Sequence, residues 1–171
     1  MSAQPGGKAD KAALLTEHTR REIDQWVAKF PQGRQRSAVI SALRFAQEQN
    51  NGFLTVELMD AVADYLGLAP IHVYEVASFY SMLETHPCGR HHVSVCTNIS
   101  CMLNGGEEIL AHAEKKLGIK VGESTPDGRI FLKEEHECLA ACVGAPMMMV
   151  DHSFHENLTP AKVDEILDRL K

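Results

Sequence analysis

The sequence predicts an α/β chain of the α+β kind. A small helical bundle is expected over residues 15–86, and a layer of helices on a small sheet over 87–171. Three observations predict it. Apolar residues recur at helical spacing through the first half, in segments separated by short breaks. Near Thr85-His86-Pro87 the pattern changes, and short alternating or apolar runs become interleaved with helical ones. Finally, 44% of the 171 residues are hydrophobic, enough for a buried core without covalent staples.

Ile23, Trp26, Val27 and Phe30 lie on one helical face, and Pro31-Gln32-Gly33 ends that segment. A second helix is expected from Gln35 to Gln49, with Val39, Ile40, Leu43 and Ala46 inward and a stop at Asn50-Asn51-Gly52. Thr55 can cap a third, which buries Leu58, Met59, Val62 and Leu66 and ends at Gly67. Pro70 suits the first turn of a fourth, burying Val73, Val76, Ala77 and Tyr80. Four helices with short loops make a small bundle. Beyond it, His91–Cys96 reads as a strand with Val93 and Val95 on one face. Gly106–Leu117 reads as a helix with Ile109, Leu110, Ala113 and Leu117 inward. Thr125-Pro126-Asp127-Gly128 is a turn. Strands are expected over Ile130–Lys133 and Met147–Val150, with a turn at Asp151-His152 and a short partner strand at Phe154. Thr159-Pro160 opens a last helix with Val163, Ile166, Leu167 and Leu170 inward.

Composition narrows the function. The net charge is −6 and no Lys/Arg-rich run is present, which argues against nucleic acid. No apolar stretch approaches the roughly 20 residues of a membrane span. Met1–Lys11 is polar, with neither the apolar core of a signal peptide nor the Arg-rich pattern of a transit peptide. A cytoplasmic protein with a flexible start over residues 1–14 is the expectation.

Five cysteines stand at positions 88, 96, 101, 138 and 142. An odd number in a reducing compartment argues against structural disulfides. Cys96 and Cys101 form C-x4-C, Cys138 and Cys142 form C-x3-C, and each pair follows an expected strand. Two loops can therefore converge at one end of the sheet. Two thiolates on one tetrahedral metal sit about 3.7 Å apart for metal–sulfur bonds of about 2.3 Å. Residues five apart diverge by about 140° around a helix, so Cys96 and Cys101 call for an irregular loop. Residues four apart can share a face, so Cys138 and Cys142 can sit on a turn or a loop. Leu139, Ala140, Ala141, Val143, Gly144 and Ala145 are small or apolar, letting backbone N–H groups approach sulfur and excluding water. Three readings stay open on spacing: a [2Fe-2S] cluster, a structural zinc site (more often built on C-x2-C) and a thiol–disulfide enzyme, which would want C-x-x-C.

Three stretches carry a resemblance. Val73-Tyr74-Glu75-Val76-Ala77-Ser78-Phe79-Tyr80-Ser81-Met82 resembles a VYEVATFYTMF-like helix. Val95 through Gly105 resembles that family's first cluster loop, and Glu137 through Met148 its second. The family is the 24 kDa-type [2Fe-2S] subunit of NADH:quinone oxidoreductase, respiratory complex I, and the likeness runs from about Leu15 to Lys171. It implies a thioredoxin-like [2Fe-2S] ferredoxin domain after the helical bundle, with Cys96, Cys101, Cys138 and Cys142 as the cluster ligands. It implies electron transfer beside a larger subunit that binds FMN and NADH, among the other peripheral-arm subunits, at the inner membrane but not in it. The chain would then be a component of an oxidoreductase and, alone, an electron carrier. The same module occurs in NAD-linked hydrogenases and formate dehydrogenases, so such a diaphorase is the alternative host, and a zinc-stabilised adaptor the alternative class. On this assignment Cys96 and Cys101 hold one iron, and Cys138 and Cys142 the other.

Other candidates read more plainly. Cys88 is outside the motif and is expected to be a free structural thiol. His91, His92 and His136 lie near ligands in sequence, but four cysteines complete the site, leaving them solvent-facing or supporting roles. A protonatable His there could couple reduction to proton uptake; a potential independent of pH through the His range would rule that out. Gly105-Gly106 matches no phosphate-loop pattern and reads as a helix start. Met147-Met148-Met149 is a core strand with one exposed member. Asp164, Glu165 and Asp168 are expected on a solvated helix face.

Overall fold

The computed structural model describes residues 11–171. The flexible start expected over residues 1–14 lies mostly outside them, and Lys11–Leu14 form one 3-10 turn. The chain divides after Pro87 into two compact units.

The first unit holds four helices: α1 (Glu17–Val27), α2 (Val39–Gln49), α3 (Val56–Leu66) and α4 (Pro70–Phe79). Thr16 Oγ1 accepts from the Thr19 N–H at 3.1 Å and starts α1. That helix stops at Val27, ahead of the Pro31 break, and tighter turns carry the chain through Phe30. The helix expected from Gln35 begins as a 3-10 turn, Gln35–Ala38, and becomes α-helical at Val39. Thr55 caps α3 by accepting from the Leu58 N–H at 3.2 Å, and Gly67 closes it at φ +65°; a cap of this kind contributes about 1 kcal/mol. Ile23, Leu43, Ala46, Leu58, Met59, Val62, Leu66, Val73 and Ala77 form the core. Tyr80, expected inward, stands instead at the C-cap of α4 with its ring exposed, because the helix ends one residue before it. Gln47 is buried and binds the return chain twice, donating to Met82 O at 3.1 Å and accepting from the Glu84 N–H at 2.7 Å.

Asp60 accepts from Lys11 Nζ at 2.6 Å and from the Tyr74 hydroxyl at 2.5 Å. These two bonds, Lys11 first, hold its carboxyl below the usual value, and the bond to Asp60 pushes Tyr74 up to about 12. A carboxyl depressed in the folded state stabilises it above the unfolded value of about 3.9, and that contribution is lost as pH falls through the folded value. Asp60→Asn is therefore expected to lower the urea midpoint at neutral pH and to converge on the wild type in acid. A difference that stays constant down to about pH 3 would contradict this.

The second unit contains β1 (His91–Cys96), α5 (Ile99–Leu103), α6 (Gly106–Leu117), β2 (Ile130–Glu135), β3 (Met148–Val150), β4 (Ser153–His155) and α7 (Pro160–Arg169). Strand order is β2-β1-β3-β4. β1 and β2 are parallel, in register from His91↔Ile130 to Cys96↔Glu135. β3 runs antiparallel to β1 (Val93↔Val150, Val95↔Met148) and turns back through Asp151-His152 into β4. Val93, Val95, Ile130, Leu132, Met148 and Val150 from the sheet pack with Ile109, Ala113, Val163 and Leu167 from α6 and α7. The Thr125–Gly128 turn closes with Gly128 N–H donating to Thr125 O at 2.8 Å. Within the run Met147-Met148-Met149, Met147 and Met148 are buried and Met149 is half-buried. The acidic face of α7 is solvated as expected, with Glu165 and Asp168 exposed and Asp164 half-buried, and it is also paired. Asp164 meets His112 Nε2 at 2.8 Å, Asp168 meets Lys116 at 2.8 Å, and Glu165 pairs with Arg169. Asp164 and Asp168 thus reach across to α6, which lies beside α7, while the Glu165–Arg169 pair stays within α7; the cross-helix pairing is a long-range arrangement that periodicity alone does not reveal.

Candidate functional site

The parallel pairing of β1 with β2 brings both cysteine motifs to one end of the sheet. Cys96 is the last residue of β1, buried, with its N–H donating to Met147 O at 3.1 Å. Cys101 is also buried and lies in α5, a five-residue helix, so the expected irregular loop is a short link followed by a helical turn. That link is Thr97-Asn98, and since Cys96 ends a strand the divergence of a helical C-x4-C pair does not arise. The second loop leaves β2 and carries Cys138 at φ +79° and Ala140 at φ +61°. Such left-handed positions cost of order 1 kcal/mol or more for non-glycine residues and persist where surrounding contacts fix them. Here the fold of the loop aims the Ala140 N–H at Cys138 Sγ, 3.3 Å away. Cys142 is exposed and opens a 3-10 turn, Cys142–Gly144.

The four thiols meet. Cys138 and Cys142 sulfurs are 3.6 Å apart, close to the spacing of about 3.7 Å for two thiolates on one tetrahedral metal. The Cys96 thiol is near enough to those of Cys101 and Cys138 to shift both. Burial pushes the Cys101 thiol up to about 11, with the Cys96 thiol adding to the rise and the Met147 N–H opposing it. The Ala140 N–H, and then Cys142, hold Cys138 below the ordinary thiol value. Metal binding requires thiolates, so the site loads with release of protons. Among the described residues, no three His, Cys, Asp or Glu side chains close on one ion-sized centre. A binuclear cluster takes two thiolates at each iron and needs two touching pairs. A tetrahedral all-sulfur donor set suits Fe–S or zinc, so the residues fit the implied group.

The loops are stitched to each other. Asn98 Nδ2 donates to His136 O at 2.6 Å, Thr97 Oγ1 donates to Glu134 Oε1 at 2.8 Å, and Thr97 N–H donates to Glu135 O at 3.2 Å. Met147, Ala141, Leu139 and Ala145 pack around Cys96 and Cys101 and keep water from them. The rim is apolar and open: Ile99 is 68% exposed, Leu103 75% and Val143 99%.

Of the three histidines named above, His136 lies against the cysteine loops, with Nδ1 3.4 Å from Thr97 Oγ1 and 3.5 Å from Glu134. His91 and His92 begin β1, about 13–16 Å of strand from Cys96. His91 contacts Asp151 at 2.9 Å and Lys171 O at 3.0 Å. His92 Nε2 is 3.1 Å from Cys88 Sγ, so Cys88 lies at the far end of the strand from the other four cysteines. Sequence reasoning reads Gly105-Gly106 as a helix start, which it is, but misses a tighter constraint. A Cβ on Gly106 would lie 2.8 Å from Cys96 O and 2.9 Å from Cys101 C and O. Helix α6 thus begins flush against the first cysteine loop.

The family model for the thioredoxin-like [2Fe-2S] ferredoxin matches residues 23–171. The chain is 44% identical over 157 residues to "NADH dehydrogenase [ubiquinone] flavoprotein 2, mitochondrial" of Dictyostelium discoideum; the match covers 92% of this chain but 63% of that longer protein. It is 43% identical over 152 residues to an NADH-quinone oxidoreductase subunit of Rhizobium meliloti (strain 1021), covering 89% of this chain and 88% of that one. Among solved structures, a chain of an NAD+-reducing [NiFe]-hydrogenase in the air-oxidized state superposes with a TM-score of 0.65 at 20% identity, over 81% of this chain and 24% of that one. At that identity the likeness is one of fold.

Proposed function

The chain belongs to the thioredoxin-like [2Fe-2S] ferredoxin family, and from that premise we propose that it is the electron-transfer subunit of an NADH:quinone oxidoreductase. It carries one [2Fe-2S] cluster on Cys96, Cys101, Cys138 and Cys142. The observation that carries this reading is the meeting of four thiols from two stitched loops, with the Cys138–Cys142 pair at 3.6 Å. When bound, the cluster supplies a one-electron couple; the protein contributes orientation and electrostatics. Ala140 and Met147 direct N–H groups at sulfur, which favours negative charge there. The division after Pro87 supports a helical domain over 15–86 and a ferredoxin domain over 87–171.

Relatives are named as NADH dehydrogenase and NADH-quinone oxidoreductase subunits. On that likeness the partner is the flavin-bearing subunit that binds NADH and FMN, set among other peripheral-arm subunits. The rim of Ile99, Leu103 and Val143 is the face we assign to electron exchange, because apolar side chains this exposed, beside the sulfurs, suit burial against a partner. No helix among the described residues is long and apolar enough to cross a membrane. Attachment through the partner subunits, at the cytoplasmic side of the inner membrane, accords with that.

The test is chemical analysis of anaerobically purified protein for iron, acid-labile sulfide and zinc, with EPR after reduction. Two irons, two sulfides and a rhombic S = ½ signal per chain are expected. Stoichiometric zinc without sulfide, in protein never exposed to oxygen, would turn the chain into a structural adaptor.

A further inference from the structure

Glu156 lies outside both cysteine motifs, yet its side chain is laid along the turn that carries Cys142. A Cβ on Gly144 would fall 2.5–2.6 Å from Glu156 Cβ, Cγ and Cδ, so three carbons of this side chain occupy the space that a side chain at 144 would need. Both following residues pin it in place. The Asn157 N–H donates to Gly144 O at 2.6 Å and the Leu158 N–H to Pro146 O at 2.9 Å. The Lys162 ammonium is taken up by the main-chain carbonyl of Glu156, at 2.5 Å, and not by its carboxylate. Glu156 is half-buried, so its charge is screened less than that of a freely solvated residue.

We infer that Glu156 is a residue that sets the reduction potential of the cluster, by holding a carboxylate over the Cys142–Gly144 turn. The inference rests on the four-cysteine reading above. Four thiolates leave the oxidised cluster anionic, and reduction adds one electron without removing any of that charge. A fixed negative charge beside the second cysteine loop disfavours the reduced form relative to the oxidised one. Gly144 is needed at its position because only a residue without a Cβ lets the glutamate chain lie that close. Glu156 touches no reacting atom in this account; it acts through the field at the cluster.

The experiment is an EPR-monitored redox titration of the full-length chain loaded with its cluster. Glu156→Gln keeps the shape and removes the charge. It is expected to raise the midpoint, making the reduced fraction larger at any applied potential by about threefold in the reduced-to-oxidised ratio. That is about 28 mV at 59 mV per tenfold for one electron. The EPR line shape and thermal midpoint should stay those of the wild type, and Glu156→Asp, which keeps the charge, should titrate closer to the wild type than Gln does. A role in packing alone would give the opposite pattern, with Asp destabilised and Gln at the wild-type midpoint. If the Gln variant loads poorly, Glu156→Met, which keeps the carbon chain, reads the same quantity. A loaded, uncharged variant at the wild-type midpoint overturns the inference. A wild-type chain without sulfide or an S = ½ signal overturns the cluster reading instead, so the two failures are distinguishable.

Discussion

Replacing Cys96 by Ser is expected to abolish or strongly alter the EPR signal of the reduced cluster while leaving the chain folded. Cys96 is the thiol near enough to both Cys101 and Cys138 to shift them, and so it links the two loops. An alcohol oxygen is a poorer ligand than thiolate for Fe–S chemistry, and its shorter bond would displace either the iron or the strand end. The strand itself does not depend on the sulfur. Its ladder to β2 and the Cys96 N–H bond to Met147 O are main-chain contacts. Circular dichroism should therefore remain that of the wild type while iron and sulfide fall. Cys88→Ser serves as the control, since Cys88 lies at the other end of β1 beside His92 and its loss should leave the signal alone. An unchanged signal in Cys96→Ser would refute the ligand assignment.

The second large effect is expected at Gly106. The atoms its Cβ would strike are backbone, Cys96 O and Cys101 C and O, and backbone cannot rotate away as a flexible side chain can. Gly106→Val must push α6 off the first cysteine loop or move the loop. Overpacking of this kind costs about 1–3 kcal/mol, and a β-branched residue in the first turn of α6 sits at the upper end. The displacement falls on the peptide units that position two proposed ligands, so cluster occupancy should drop further than global stability does. Denaturant midpoints together with sulfide per chain separate the two effects. A fully loaded Gly106→Val chain would mean that the loop tolerates the movement.

Much of this arrangement is legible in the sequence where the signal is local. Thr55 and Gly67 bracket α3, Thr159-Pro160 opens α7, and His91–Cys96 and Gly106–Leu117 coincide with β1 and α6. Those segments carry caps, breaks and enough residues to establish a period. Helix α5 has only five residues, too few for periodicity to register, so Cys101 is read as loop. Left-handed Cys138 and Ala140 are opaque for another reason: neither residue type favours that conformation, and tertiary contacts impose it. The four cysteines are recognisable by spacing and resemblance, yet what surrounds them is not. Gly106 against Cys96, Gly144 beneath Glu156 and Asn98 on the carbonyl of His136 are close approaches between distant parts of the chain. Tyr80 fails in the other direction, since its spacing continues a helical face past the point where the helix ends.

The parallel alignment of β1 with β2 also has a consequence in time. A parallel pair cannot close as a hairpin; the crossover through α5 and α6 must first be wound and docked, and loop closure of that length makes such pairing a slow step. On the proposed ligand set, two sulfurs travel with β1 and two follow β2. An unfolded chain then offers only half-sites, and the complete set is a property of the docked pair. By mass action a group that binds the folded state alone stabilises it, so a loaded cluster adds to the main-chain bonds that hold β1 against β2, while the strands remain paired without it. Parting β1 from β2 therefore breaks the complete set, and a loaded chain is expected to resist denaturation more than the same chain stripped of iron and sulfide.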